Sequence, residues 1–166
     1  MPGPDVGEYI VGAYLKLIKE CDFIEYNVRP PGGRLKGLNE LDVMGLDFKK
    51  RTAYLCEVTT HITGLLIRNK QDTVDTIQKK YLRMKEDAEE YLSFFPPKKR
   101  HFMYWSPVVG KGYITEGLEA IDGLELIINR DYTERFEELR ELAGKATHNS
   151  GNPFFRMLQI EEHLRR

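Results

Sequence analysis

The chain has 166 residues, 41% hydrophobic and 31% charged, and 25 Lys and Arg nearly balance 26 Asp and Glu for a formal net charge of −1. That length supports one domain with a real core, and the charge balance excludes nucleic-acid binding through net charge alone, so any such affinity must come from a local basic patch. No apolar run approaches the roughly 18–20 residues of a membrane span, and MPGPDVGEYI lacks the basic-then-apolar order of a secretory signal. Cys21 and Cys56 are the only cysteines. They sit in or beside apolar segments without metal-ligand spacing, and read as two buried free thiols of a cytoplasmic protein.

Taken in chain order, 5–21 reads as a helix. Asp5 is a candidate N-cap, and Ile10, Ala13, Tyr14, Leu17 and Ile18 recur at helical spacing. Val11 and Leu15 widen that stripe, so the helix is expected to be largely buried. FIEYNVR (23–29) alternates like a strand, and PPGGRLKG after it is a loop. Strands near 40–48 and 52–60 flank a turn at Phe48-Lys49-Lys50-Arg51, which favours an antiparallel hairpin. Residues 61–70 carry no clear pattern. A long, charge-rich helix is expected from Asp72 to about Phe94. Val74, Ile77, Tyr81, Met84, Ala88, Tyr91 and Leu92 mark its buried side, and Pro96 and Pro97 end it.

HFMYWSPVV reads as a short buried strand. A short helix over 115–121 and an apolar strand over 124–128 follow. A helix over 131–143 carries Tyr132, Phe136, Leu139 and Leu142 on one face, and a last helix begins near Pro153, proline being tolerated in a first turn. A hairpin followed by strands alternating with helices predicts an α/β fold: one mixed β-sheet flanked by helices. All of 1–166 reads as a single domain, with a core over about 5–130 and a helical extension over about 131–166.

Two acids interrupt strands that otherwise suit a core. Asp42 opens the first strand of the hairpin and Glu57 lies in the second. Residues two apart on a strand share a face, so Glu57, Leu55 and Thr59 point one way, and Cys56 and Val58 the other. Adjacent carboxylates raise each other's pKa. A divalent cation resolves that conflict, and magnesium is often held by only one or two carboxylates plus waters and substrate phosphate. Such an ion can activate water against a phosphodiester. The plainer alternative is that Asp42 is solvated at a strand start and Glu57 pairs with a lysine.

Three sites, Glu8 in GEYIVGAYL, Asp42 in LDVMGLD and Glu57 in LCEVTT, occur in an order that resembles the PD-(D/E)XK nuclease superfamily, and particularly archaeal Holliday-junction resolvases and related small nucleases. The resemblance spans about residues 5–107. It implies a restriction-endonuclease-like core and magnesium- or manganese-dependent hydrolysis of DNA, structure-specific or double-stranded, by a protein that in related resolvases works as a dimer. It further implies Asp42 and Glu57 as metal ligands, the Val58 backbone carbonyl as a third, and Glu8 as a further acid.

One position departs from the pattern. Thr59 stands where the family's motif has lysine, and threonine supplies no positive charge. Either the lysine has moved to the long helix, where Lys79 and Lys80 in DTIQKKYL are the candidates, or the site is a catalytically degenerate nucleic-acid- or protein-binding module. Consecutive helical residues differ in direction by about 100°, so at most one of the two lysines reaches the site. Glu8 has an alternative role near a helix N-terminus, where a carboxylate complements the dipole.

Nucleic-acid contacts are expected from Arg34 and Lys36 in the glycine-rich loop, from Thr59 and His61 after the Glu57 strand, and from Arg68 and Lys70 before the long helix; such groups make binding salt-dependent. Lys98, Lys99 and Arg100 form another basic group. Phe102, Tyr104 and Trp105 fit core packing better than a stacking surface. No zinc spacing, Walker loop, dinucleotide fingerprint or recognisable nucleophile motif is present.

Overall fold

The structure, a computed structural model, describes residues 3–30 and 40–166. Arg34 and Lys36 lie outside the described residues. The elements are α1 (Val6–Leu17), β1 (Phe23–Val28), β2 (Leu41–Asp47), β3 (Thr52–Val58), α2 (Lys70–Tyr91), β4 (Lys99–Ser106), α3 (Tyr113–Glu119), β5 (Leu124–Ile128), α4 (Asn129–Lys145) and α5 (Pro153–Leu164). The strands form a five-stranded mixed sheet in sequential order β1-β2-β3-β4-β5. β1, β2 and β3 pair antiparallel, and β4 and β5 continue the sheet parallel to β3. Among the described residues no helix is long and apolar enough to cross a membrane.

Alternation along the strands divides the core in two. Ala53, Leu55, Met44, Leu46 and Tyr104 pack with Val74, Ile77, Tyr81, Met84 and Ala88 of α2 and with Ile114 and Leu118 of α3. Val43, Cys56, Met103 and Trp105 pack on the other face with α1, α4 and α5. The predicted aromatic run is therefore core. Trp105 is fully buried and meets the Tyr14 ring edge-on at 5.3 Å and the Tyr132 ring at 6.0 Å. Such edge-to-face contacts add about 0.5–1.5 kcal/mol each beyond the buried area. Cys21 and Cys56 are free and buried, and burial pushes the Cys21 thiol up to about 12.

Local chemistry sets the element ends. Asp5 caps α1 by accepting from the Glu8 N–H (3.0 Å), while Glu8 accepts from the Asp5 N–H (3.1 Å), a reciprocal capping box. The helix stops at Leu17 rather than reaching residue 21, and Glu20 then takes a positive φ of 60° in the turn to β1. Two close approaches seat α1 on the sheet. A Cβ on Gly12 would lie 1.9 Å from the Tyr26 hydroxyl, and one on Gly7 would lie 2.2 Å from Thr60 Cγ2. Glycine at position 7 thus lets the start of α1 lie against the end of β3.

The β2–β3 turn is held by Asp47, which accepts from the Lys50 N–H at 2.8 Å. α2 begins at Lys70 because Asn69 accepts from the Asp72 N–H at 2.8 Å. β4 starts at Lys99 and ends at Ser106, earlier at both ends than its apolar run predicts, because backbone pairing with Thr52 begins at Lys99. The expected apolar strand at 124–128 contains the exposed Glu125. β5 pairs only with β4 among the described strands, and at a sheet edge a charged side chain carries little cost.

Candidate active site

The antiparallel register pairs Val43 with Cys56, and one more step sets Asp42 across from Glu57. The side chains meet on the α2 face, because Glu57 shares the pleat of Leu55. Asp42 Oδ2 accepts from the Val58 N–H at 2.7 Å. From α2, Lys80 Nζ donates to Glu57 Oε2 at 3.1 Å. These groups line a cleft of about 250 Å³ together with Glu40, Arg83, Met84 and Tyr91.

Both acids hold their protons more tightly than free carboxylic acids. Burial pushes Glu57 up to about 7, the charge of Asp42 adds to the rise, and Lys80 opposes it. Burial also raises Asp42, against the Val58 hydrogen bond and the charge of Lys80. Burial works against the ammonium of Lys80, but Glu57 and then Asp42 outweigh it and hold its pKa above the usual value. The plainer expectation, a Glu57 paired with lysine, is thus met in part: the pair exists, yet the Glu57 carboxyl stays raised, because burial and then the charge of Asp42 outweigh Lys80.

α2 selects between the two candidate lysines. Ile77, Tyr81 and Met84 face the core, and at about 100° per residue Lys80 lies only about 40° from Met84, whereas Lys79 lies about 140° away. Lys79 is accordingly exposed and does not line the cleft. The spacing to Ile77 and Met84 already carried this distinction in the sequence.

Glu8 is nine-tenths buried but is engaged in the α1 cap and does not line the cleft. Burial raises its carboxyl to about 7, the Asp5 hydrogen bond opposes the rise, and the nearby charges of Asp5, Asp42 and Glu40 add to it. Its field reaches Asp42 without its carboxylate joining the pair. Thr59 Oγ1 lies 2.8 Å from the Tyr104 hydroxyl, and its N–H donates to the Trp105 carbonyl at 2.9 Å. Thr59 is therefore tied into the sheet. His61, Arg68 and Lys70 are exposed on and after the connection leaving β3, outside the cleft lining. Lys99 and Arg100 pair in register with Thr52 and Ala53 at the far end of β3, remote from Glu57, and Arg100 bonds Glu89 at 2.6 Å.

Sequence reasoning missed Glu40, Arg83 and Tyr91. Arg83 alone carried a signal, since i and i+3 neighbours share a helix face and Arg83 follows Lys80 at that spacing. No family model, no curated protein and no solved structure matches this chain.

Proposed function

We propose that the protein is a magnesium- or manganese-dependent nuclease of the PD-(D/E)XK type, hydrolysing phosphodiester bonds in DNA at the Asp42–Glu57 cleft. The observation that carries this reading is the pair of acids set across adjacent strands, Glu57 buried and Asp42 half-buried, with Lys80 3.1 Å from Glu57. The element order agrees with it: a helix, a three-stranded meander, a helix, and a strand parallel to the third.

The donor set suits a hard divalent ion. Among the described residues no group of three or more His, Cys, Asp or Glu is arranged to hold a metal. Magnesium needs fewer, commonly resting on one or two carboxylates with waters and phosphate completing the shell. Asp42 and Glu57 would hold the ion, with the Val58 carbonyl as a further oxygen donor. When bound, it would polarise the phosphodiester and lower the pKa of water. The chain's own groups do the rest. The Val58 N–H orients Asp42, Met84 and Tyr91 wall the cleft, and Lys80 brings to Glu57 the positive charge that Thr59 lacks.

The test pairs binding with chemistry. Calorimetric titration with Mn2+ should show one site in the wild type and none in Asp42→Asn or Glu57→Gln. Labelled linear, single-stranded, flapped and four-way DNAs should be cut by the wild type with Mg2+ or Mn2+, and by neither variant. Failure of the wild type to bind the ion and to cut any DNA would refute the reading. Thr59 supports a second reading, a catalytically degenerate binding module on the same fold: its hydroxyl is occupied by Tyr104. Salt-sensitive DNA binding without cleavage would select that reading.

A further inference from the structure

The cleft has an imbalance that the metal ligands do not explain. Among the described residues its acidic groups are Glu40, Asp42 and Glu57, and its cations are Lys80 and Arg83. Lys80 is committed to Glu57. Glu40 is committed to Arg29 at 3.2 Å, outside the cleft lining. Arg83 differs from both. It is exposed, faces the cleft one turn along α2 from Lys80, and among the described residues no carboxylate lies within ion-pair distance of it. A guanidinium that lines a cleft of acids yet pairs with none of them is free to take an anion from solution.

We propose that Arg83 is the phosphate-binding side chain of this cleft, holding a backbone phosphate of duplex DNA across Asp42 and Glu57; the proposal rests on the nuclease reading above. A polyanion nearing three carboxylates is repelled unless a cation faces it. Lys80 cannot serve both Glu57 and a phosphate without giving up part of one contact. Arginine offers a planar fork of donors that matches two phosphate oxygens, stays charged at any working pH, and is weakly hydrated. Its place beside Lys80 divides the labour: Lys80 meets the acids and Arg83 meets the substrate backbone.

The experiment is a fluorescence-anisotropy titration of a labelled linear DNA duplex, repeated at several KCl concentrations, on wild type, Arg83→Gln and Arg83→Lys. Steady-state cleavage with Mg2+ runs beside it. Arg83 is exposed, so both variants should melt with the wild type. Arg83→Gln should bind about tenfold more weakly, and its slope of log K against log salt should be shallower by about one, the signature of one lost phosphate contact. Arg83→Lys should keep the wild-type slope at a smaller cost in affinity. In cleavage, Arg83→Gln should raise KM and leave kcat within about twofold.

If Arg83→Gln binds with wild-type affinity and slope while the wild type cuts DNA, the Arg83 assignment is overturned and the nuclease reading stands. A fall in kcat with KM unchanged also overturns it, since the residue would then act on the reacting groups. If the wild type neither binds nor cuts, both fall together.

Discussion

Asp42 and Asp47 stand five residues apart on β2, yet their carboxyls are shifted in opposite directions. Asp47 closes the β2–β3 turn. It accepts from the Lys50 N–H at 2.8 Å and faces the Lys50 ammonium at 3.4 Å, and those contacts, the backbone hydrogen bond first, hold its carboxyl below the usual range. Asp42 has one backbone hydrogen bond and a second acid across the strand, and burial leaves its carboxyl raised. A buried acid with its own donors is part of the scaffold. A buried acid opposite another acid is a cost to the fold, and such costs concentrate at functional sites.

The largest expected break in this comparison is catalytic. Asp42→Asn or Glu57→Gln should reduce metal-dependent DNA cleavage by about a thousandfold, while Asp47→Asn should leave it within about twofold. Rates under matched metal and salt would check this, and equal losses in all three would abolish the distinction.

The next effect separates the two lysines. Lys80→Gln should lower cleavage about a hundredfold, because it strips the positive charge from the acids, whereas exposed Lys79→Gln should match the wild type. A loss at Lys79 with none at Lys80 would refute the placement of α2 over the site.

Stability should show the reverse order. Asp47→Ala should cost about 1–3 kcal/mol by leaving the Lys50 N–H without its acceptor, read from denaturant midpoints at constant m. Thr59→Val should cost about 1 kcal/mol through the Tyr104 hydrogen bond and should leave cleavage unchanged.

The last effect is in pH. Glu8 and Glu57 move from an ordinary 4.5 to about 7 in the folded chain. Between those values the native state holds protons that the unfolded state has released. Stability from these two groups therefore falls as pH rises through that window and is flat above it. Without divalent metal, Tm should be higher near pH 5.5 than near pH 7.5, and Glu57→Gln should flatten the profile. Asp47 has the opposite sign: its contribution is present above its ordinary 3.8 and is lost as pH falls toward its lowered value, so it does not titrate in the same window. A Tm that rises from pH 5.5 to 7.5 would contradict the raised values.

Much of the architecture was legible along the chain. The stripe Ile77, Tyr81, Met84 and Ala88 announced α2, the cap residue Asp5 and the first-turn Pro153 marked helix starts that the structure keeps, and the apolar run over 124–128 gave β5 at its observed limits. Strand and helix ends were less legible where neighbours decide them. β4 begins at charged Lys99 because β3 offers backbone partners there, and α1 ends early because the chain must turn into β1. The exposure of Glu125 was hidden for the same reason, since nothing local says which strand lies at an edge.

By itself, the sequence determined that Asp42 and Glu57 sit in neighbouring strands of a hairpin, that Glu57 and Thr59 share a pleat, and that at most one of Lys79 and Lys80 reaches them. These follow from the periods of strand and helix, which are properties of the backbone. Tertiary structure alone decided the rest. The register set Asp42 opposite Glu57, and the docking of α2 on the sheet brought the helix face that carries Lys80 and Arg83 to the cleft. Pairing and docking depend on packing between residues far apart in the chain, such as Met84 against the sheet, and no local pattern contains that information.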